Sequence, residues 1–420
     1  MSIIKLLSSA EAMAVYLIAL MLIIALLGAV VLCALHLIRS NAEAAAAELG
    51  ESKEDKKRKK AQRSRFSNLA RIDMEMEKAE PKSYEIKNLT TICTDFRNFA
   101  ASKLGLYYDI ADIRRFIAGM GISRLVILRG ISGTGKTSLA YAAGEFFDNP
   151  ATIVPIQPMW KERSDLLGYF NEFTKRFNET TLLCKLYEAG YRPDVYITVL
   201  DEVNISRIEY YFAEFLSLLE IPDPSKRKLD VVSDSWKTDP IRLENGKLLL
   251  PDNMWFIGTA NNDDSTFSIA DKVYDRAAVI DLDRKCKSFR APTTPPSRIS
   301  FHLLMKRFAE AKQTYRLSAG ARESIAALDA FLAEEFRVSF GNRIMRQIED
   351  YVPIMIACGG TETGALDDIF ARKIFRKLEQ LSPVLIRNHV PRLMDLLKDR
   401  FGEDALPQSM EYLDRLQKSV

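Results

Sequence analysis

The stretch Gly130-Ile131-Ser132-Gly133-Thr134-Gly135-Lys136-Thr137 decides the interpretation of this chain. It matches the pattern G-x-x-x-x-G-K-[ST] at every fixed position. Glycines in such a loop let successive backbone N–H groups point at one anion, and the helix that follows adds the positive end of its dipole. The residues around the loop agree, because Leu125–Leu128 predicts a buried strand and Thr137–Ala143 predicts a helix. A chance glycine-rich turn is therefore disfavoured, and the predicted phosphate contacts are Gly130, Ser132, Gly133, Thr134, Gly135, Lys136, Thr137 and Ser138.

Two side chains of this loop have specific expected roles. The Lys136 ammonium group can reach the β- and γ-phosphates of a nucleotide, and the Thr137 hydroxyl can bind Mg²⁺. The stretch Val195–Glu202 is a predicted strand that ends in two carboxylates. Asp201 can hold Mg²⁺, and Glu202 can polarise an attacking water. A solvated strand end is the alternative, but the position after a phosphate loop in an alternating chain favours a catalytic pair.

Composition excludes several other kinds of chemistry. The net charge of +3 over 420 residues gives no reason to expect a general polyanion binder. The five cysteines are scattered without paired spacing, which argues against a disulfide framework and a zinc site. The three histidines lie far from any acidic or nucleophilic cluster. These features are typical of a reduced, intracellular protein whose chemistry ends at nucleotide hydrolysis.

The order of apolar runs predicts an α/β fold. Further strands are expected at 152–156, 254–258 and 277–282, and strands that alternate with helices form a parallel sheet covered on both faces. Other expected elements are two amphipathic helices before the loop strand, a helix over 204–220, a hairpin turning at Asn245-Gly246, and a mainly helical region after the prolines at 292, 295 and 296. We therefore predict an α/β nucleotide-binding domain over 85–290, with a five-stranded parallel sheet, and a helical lid over 297–420.

The run Ala12–Leu35 contains no charged residue. Since about 20 apolar helical residues span a bilayer core, this run predicts a transmembrane anchor within residues 1–39. A buried core helix and a cleaved signal peptide are alternatives, the latter because Ala42-Glu43-Ala44 resembles a cleavage site. Basic residues are concentrated after the run, so the positive-inside rule places the rest of the chain in the cytoplasm, on the inner face of the cytoplasmic membrane.

Residues 40–84 are rich in alanine and charge and predict a partly helical linker. The basic residues between Lys53 and Arg65 are open to three interpretations. They can face anionic lipid, bind nucleic acid, or form a solvated spacer.

Four longer motifs carry a family resemblance, namely GISGTGKTS, PMWKERSDLLGYFN, VLDEVNISRIEYYFAEFLSLLE and WFIGTANNDDSTFSIADKVYDRA. With these motifs the chain, over about residues 85–380, resembles an AAA+ ATPase of the branch that contains the motor subunits of McrBC restriction systems. The resemblance implies ATP and Mg²⁺ as cofactors. It makes Asn261 the sensor 1 residue, Arg276 the arginine finger and Arg343 the sensor 2 residue, with Arg346 as the alternative for the last.

The resemblance also implies partners. An arginine finger acts on the nucleotide of a neighbour, so a ring, expected to be a hexamer, is implied, together with a separately encoded effector such as an McrC-like or nuclease subunit. Two departures matter. The similar GTP-using motors have Asn-Thr-Ala-Asp where this chain has Gly258-Thr259-Ala260-Asn261, which favours ATP, and their DNA-reading domain is replaced here by the anchor and linker. Contact with nucleic acid is therefore expected to be indirect. A MoxR-like remodelling chaperone and a membrane scaffold with little turnover are the alternative functions.

Overall fold

The computed structural model describes residues 21, 27–28, 30–39, 64–80, 82–261 and 266–419. The chain divides into two units, Met1–Ser64 and Arg65–Val420, which are described separately. In the first unit residues 30–39 are helical and their side chains are exposed. Of the helices within the described ranges, none combines the length and apolar character that crossing a bilayer requires. The run Ala12–Leu35 lies largely outside these ranges, so the membrane anchor stays a prediction.

The second unit is built on a parallel sheet of five strands, in the order β10-β1-β9-β5-β2. The prediction of a five-stranded parallel sheet is confirmed for the described residues. The strands of the unit are β1 (Leu125–Gly130), β2 (Thr152–Pro155), β3 (Gly168–Asn171), β4 (Arg176–Glu179), β5 (Tyr196–Asp201), β6 (Lys228–Asp230), β7 (Leu243–Glu244), β8 (Lys247–Leu249), β9 (Met254–Asn261) and β10 (Ala278–Asp281).

The central strands are buried on both faces, which explains their continuous apolar runs. Four consecutive residues of β1, Leu125–Leu128, are buried, as are the first seven residues of β9. Helices on both faces of a parallel sheet produce this pattern, because neither face meets water. Since all five strands run in one direction, the carboxyl ends of β1, β5 and β9 meet at one edge of the sheet, where Gly130 pairs with Asn261.

The helices are α1 (Ser67–Glu77), α2 (Leu89–Leu104), α3 (Ile110–Ile122), α4 (Lys136–Phe146), α5 (Arg163–Leu167), α6 (Thr181–Ala189), α7 (Ile208–Tyr211), α8 (Ala213–Leu219), α9 (Asp271–Tyr274), α10 (Phe301–Thr314), α11 (Ala319–Phe331), α12 (Asn342–Ala357), α13 (Glu362–Ile369), α14 (Pro383–Phe401) and α15 (Pro407–Lys418). The helices α2 and α3 confirm the two predicted before β1. The helices α10 to α15 form the expected helical C-terminal region. Their buried side chains belong to the same core cluster as those of α2 and α3 and as Val126 and Leu128 of β1.

Two insertions form small antiparallel sheets that are separate from the parallel sheet. The hairpin of β3 and β4 was not predicted, and its tip exposes Phe173 almost completely, at 99%. The predicted hairpin at Asn245-Gly246 is present, with both turn residues at positive φ (52° and 76°), as a tight turn between twisted strands requires. It is larger than predicted, because β6 pairs with β8 and makes a three-stranded sheet.

The compact unit begins at Arg65, so α1 belongs to it, although the sequence analysis places residues 65–84 in the linker. Glu179 at the end of β4 accepts hydrogen bonds from the backbone N–H groups of Asn68 and Leu69, both at 2.8 Å. A carboxylate at these unpaired N–H groups stabilises the start of α1. Asp73 further along α1 accepts a hydrogen bond from the Tyr187 hydroxyl at 2.5 Å. These contacts with distant residues hold α1 against the body.

The predicted helix over 204–220 is two shorter helices. Residues 202–207 form turns, and α7 and α8 are separated at Phe212, whose φ and ψ are −107° and 8°. The ring of Phe212 stacks on that of Phe215, with centroids 4.8 Å apart, and both contact Phe256 of β9 edge-on. The apolar residues of this segment therefore face the sheet as a single helix would place them, although the helical backbone is interrupted at Phe212.

Candidate nucleotide-binding site

The loop between β1 and α4 has the backbone that a phosphate cradle needs. Gly130, Gly133 and Gly135 have φ values of 151°, 77° and 95°, a region that side chains disfavour. A Cβ atom at Gly130 would lie 2.4 Å from the carbonyl oxygen of Leu282, so only glycine fits there. The loop ends at α4, a helix of 11 residues whose first N–H groups lie at the edge of the sheet.

The side chains of the loop differ in exposure. Lys136 is 6% exposed, and its Nζ donates hydrogen bonds to the carbonyl oxygens of Gly130 at 2.9 Å and Ile131 at 2.7 Å. Its positive charge therefore lies inside the curl of the loop. Thr134 is buried and donates to the Ile131 carbonyl at 3.0 Å. Ser132 and Gly133 are exposed on the loop, and Ser138 is half-buried on the first turn of α4.

Asp201 connects three elements of the site. Its Oδ1 accepts hydrogen bonds from the Thr137 hydroxyl at 2.8 Å and from the Thr259 hydroxyl at 2.7 Å. Asp201 ends β5, Thr137 starts α4 and Thr259 lies on β9, so one carboxylate oxygen joins the carboxyl end of the sheet to the phosphate loop. Mg²⁺ prefers oxygen ligands and is commonly bound by one or two protein groups together with substrate phosphates. The adjacent hydroxyl and carboxylate of Thr137 and Asp201 fit such an ion.

Glu202 and Asn261 form the second polar pair. The Asn261 side-chain amide donates to Oε1 of Glu202 at 3.3 Å, and the Glu202 backbone N–H donates to the Thr259 hydroxyl at 2.9 Å. Glu202 has φ of 56°, a left-handed conformation that non-glycine residues rarely adopt and that often marks functional sites. Beyond Asp201 the chain therefore turns sharply, and the Glu202 carboxylate is directed to the amide of Asn261.

Two further residues, which were not predicted from the sequence, hold this pair in place. Asn204 donates from Nδ2 to the Asn261 carbonyl at 2.7 Å and to the Thr266 hydroxyl at 2.9 Å. Thr259 contacts both Asp201 and the Glu202 backbone. Both residues lie within the quoted motifs, in VLDEVN and GTAN, so their positions beside the acidic pair were the available signal.

A cleft of about 580 Å³ lies beside the phosphate loop. Its lining includes Ile131 of the loop, Asp109 before α3, Asp283 after β10, and Arg372 and Tyr412 from the helical region. Close by, the Tyr108 hydroxyl donates to the Gly135 carbonyl at 3.0 Å, and burial raises the pKa of that hydroxyl, which keeps it protonated. The cleft is within the size range of small-molecule sites and was not predicted from the sequence.

Arg276 and Arg343 lie apart from these groups. The Arg276 carbonyl accepts a hydrogen bond from the Ser123 hydroxyl at 2.8 Å, just before β1 begins. The phosphate loop starts at the opposite end of β1, about 17 Å away at a rise of roughly 3.3 Å per residue. Both guanidinium groups bind Glu220, at 2.8 Å for Arg276 and 2.5 Å for Arg343. The structure thus brings Lys136, Thr137, Asp201, Glu202 and Asn261 together and the two arginines into a second group.

The parallel sheet, the glycine loop and the first group have the arrangement that a P-loop nucleotide site requires. No protein-family model matches the chain, and no curated protein matches it. Among solved structures, the chain is similar to a candidate ATPase from Cytophaga hutchinsonii, with 12% identity, a TM-score of 0.48, and coverage of 79% of this chain and 96% of that chain. It is also similar to a full-length MCM homolog from Methanopyrus kandleri, with 10% identity, a TM-score of 0.37, and coverage of 72% and 59%. Both likenesses are weak, and the assignment of the site rests on the geometry of this chain.

Proposed function

We propose that this protein is an AAA+ ATPase that hydrolyses ATP with Mg²⁺ at the carboxyl edge of its parallel sheet. The single observation that supports this most is the shared hydrogen bonding of Thr137 and Thr259 to Asp201, with Glu202 and Asn261 adjacent. A phosphate loop, a metal-binding carboxylate and a second carboxylate are the parts that hydrolysis of a nucleoside triphosphate requires.

Each residue of the site has a distinct role in this proposal. The backbone N–H groups of the loop and the Lys136 ammonium bind and orient the phosphates. Thr137 and Asp201 would hold a magnesium ion, which would supply positive charge to the phosphate oxygens. Glu202 accepts a proton from the attacking water, and Asn261 keeps that carboxylate and the water oriented. Asn204 and Thr259 position Asn261 and Glu202 by the hydrogen bonds described above.

The nucleoside part of ATP occupies the cleft beside Ile131. The cleft has room for a base and a ribose, since small-molecule sites run from about 300 to 1,000 Å³. Its acidic and basic side chains offer both acceptors and donors to the base and the ribose hydroxyls. We infer ATP rather than GTP from the stretch Gly258–Asn261, which differs from that of similar GTP-using motors.

The chain acts as a ring, inferred to be a hexamer. Arg276 lies at the end of β1 that is remote from its own phosphate loop, so in one chain it is too far to contact the nucleotide. A neighbouring copy that presents its nucleotide to this edge would bring the guanidinium to the terminal phosphate. An arginine supplied in this way is worth roughly 10³–10⁵ in rate in related phosphoryl-transfer enzymes.

The wider role inferred here is that of a motor of a McrBC-like defence or restriction system, which remodels or activates a separately encoded effector. A MoxR-like remodelling chaperone is the alternative, and the exposed Phe173 at the β3–β4 hairpin is suited to contact a protein partner in either case. Purification of the chain from native membranes, with mass spectrometry of what accompanies it, separates the two. An McrC-like or nuclease subunit supports the first, and a von Willebrand-type partner supports the second.

Anchoring to the cytoplasmic membrane by residues 12–35 is part of this proposal, with the ATPase on the cytoplasmic side and the basic linker next to the lipid or a nucleic acid. It is supported by the uncharged run and the basic residues after it. Fractionation of cells tests it, because the full chain is expected with the membranes and a chain without residues 1–38 in the soluble fraction. Recovery of the full chain in the soluble fraction would contradict the anchor.

Hydrolysis itself is tested by release of phosphate from ATP by the purified chain. We expect release that stops when EDTA removes Mg²⁺ and returns when Mg²⁺ is restored. If no phosphate is released with Mg²⁺ and ATP at any chain concentration, the ATPase proposal is wrong, and a nucleotide-dependent scaffold is the remaining function.

A further inference from the structure

Glu220 binds two arginines that the hydrolytic site does not contact. It follows the last residue of α8, and its two carboxylate oxygens each receive one guanidinium. Oε2 lies 2.8 Å from Nη2 of Arg276, and Oε1 lies 2.5 Å from Nη2 of Arg343. Arg276 precedes β10 and Arg343 is the second residue of α12, so the carboxylate joins the sheet domain to the helical region.

The arrangement has the geometry of an anion site occupied by a side chain. Two guanidinium groups that converge on one carboxylate would repel each other without it, because like charges at this separation are unfavourable. The Nε atom of Arg276 is buried and has no hydrogen-bond acceptor within the described ranges. A phosphate group has more oxygens than a carboxylate and binds arginine in two-bonded geometry, so it can satisfy donors that Glu220 leaves unused.

The surroundings favour an anion of higher charge. Lys377 lies near Asp275, with Nζ 3.9 Å from Oδ1, and Lys373 is buried beside Gln347. Arg276, Arg343 and Lys377 carry three positive charges beside the one negative charge of Asp275. Burial lowers the pKa of Lys373, so this residue is left out of the balance. The cluster without Glu220 is therefore cationic, as a site for a triphosphate terminus requires.

We propose that the Glu220 carboxylate is a stand-in for a phosphate group. When two copies assemble, the terminal phosphate of the nucleotide bound to the second copy takes the position that Glu220 occupies between Arg276 and Arg343. This inference rests on the proposed function, because it requires a nucleotide held by the neighbouring phosphate loop. Glu220 is then a positioning residue. It keeps Arg276 and Arg343 together before assembly, and it competes with the incoming phosphate for both of them.

Removal of the negative charge at Glu220 tests this competition. The purified full-length chain in mild detergent is compared with Glu220→Gln by sedimentation velocity at a series of chain concentrations, with a nonhydrolysable ATP analogue and Mg²⁺. Gln has the same shape but binds guanidinium groups more weakly. We expect the midpoint concentration of self-association to fall about fivefold, in the range set by two partly exposed ion pairs. With ADP, which lacks the terminal phosphate, the two midpoints should coincide.

Two control variants separate competition from a structural effect. Glu214→Gln, in the helix α8 that Glu220 follows, removes an ion pair with Arg163 of α5 at 2.9 Å and of similar exposure, and should leave the midpoint unchanged. Adding Arg276→Ala to Glu220→Gln should abolish the fall in the midpoint concentration. One of the two arginines that Glu220 releases is then missing. A merely structural role for Glu220 would raise the midpoint or lower the melting temperature.

The outcomes distinguish this inference from the proposed function. A midpoint that is unchanged or raised in Glu220→Gln, with normal ATP hydrolysis, would overturn the inference and leave the ATPase intact. A lowered midpoint without hydrolysis in any variant would support the inference and contradict the ATPase. Failure of both proteins to associate with the analogue would also overturn the inference.

Discussion

The hydroxyl of Thr137 donates a hydrogen bond to Oδ1 of Asp201 at 2.8 Å, across 64 positions of sequence. The contact joins the phosphate loop to the end of β5, and Thr259 on β9 donates to the same oxygen. Three elements that are distant in sequence therefore converge at one edge of the sheet.

Lys136→Ala should weaken ATP binding. The ammonium lies inside the loop and is lost with the side chain. Charge-assisted hydrogen bonds contribute roughly 1.5–3 kcal/mol, which corresponds to a Kd about 10- to 100-fold higher. Calorimetric titration of ATP measures the change, and Lys161→Ala, an exposed lysine outside the loop, is the matched control. Equal affinity of Lys136→Ala and the unaltered chain would refute the loop assignment.

ATP should be hydrolysed in preference to GTP. The expectation rests on the stretch Gly258–Asn261. The sequence resemblance implies an aspartate at position 261 in GTP-using motors, whereas this chain has Asn261, whose amide donates a hydrogen bond to Glu202. A competition assay with both nucleotides at equal concentration measures kcat/KM for each, and a higher value for GTP would reverse the assignment.

Arg276 should act on the nucleotide of a neighbouring copy. Arg276→Ala and Lys136→Ala are each expected to be nearly inactive alone, because one lacks the finger and the other the phosphate-binding lysine. Mixed rings contain some interfaces with an intact loop and an intact Arg276, so part of the ATPase activity should return on mixing.

As a control, more of the same variant is added to each variant instead of the other one, and the ATPase activity should then not return. Mixed assemblies are verified by copurification through a tag on one variant. If verified mixed rings show no recovery, Arg276 serves its own chain or has no catalytic role.

The stability of the chain should depend on pH through Lys373. Burial lowers the pKa of Lys373 from 10.5 to about 7, and Asp275 opposes this while Arg343 and Lys377 add to it. Between pH 7 and 10.5 the Lys373 side chain is protonated to a greater extent in the unfolded chain than in the folded chain. The free energy of unfolding therefore rises with pH in that window. Lys373→Met removes this dependence and should raise the free energy of unfolding at pH 7, by on the order of 1–3 kcal/mol.

This advantage of Lys373→Met should be largest at pH 7 and below and should vanish near pH 10.5. Thermal unfolding at several pH values measures it, and Lys306→Met, an exposed lysine, is the control. A variant that is less stable than the unaltered chain at pH 7 would show that Lys373 is charged and well paired in its buried position.

Much of the sheet could be predicted from sequence because its strands are buried on both faces. Such strands appear in the sequence as uninterrupted apolar runs, as in Leu125–Leu128. The polar residues at the ends of these runs could therefore be assigned to the edge of the sheet. The phosphate loop was predictable because its backbone geometry requires glycine at fixed positions, of which Gly130 is the most constrained.

Other parts could not be predicted because their signal lies in distant contacts. The hairpin of β3 and β4 has no regular alternation, since most of its residues are exposed or half-buried. The helix α1 has a charged sequence and is held by Glu179 and by the pairing of Asp73 with Tyr187. The pairing of Glu220 with Arg276 and Arg343 likewise joins segments that no local pattern connects.

The most direct test of the account is the rate of ATP hydrolysis by Glu202→Gln, measured together with its ATP affinity. The amide keeps the size of the side chain but accepts no proton, so we expect affinity within about twofold of the unaltered chain and a rate at least about 10²-fold lower. Glu172→Gln, on the exposed β3–β4 hairpin, should hydrolyse ATP normally. Hydrolysis by Glu202→Gln at the rate of the unaltered chain would contradict the proposed site.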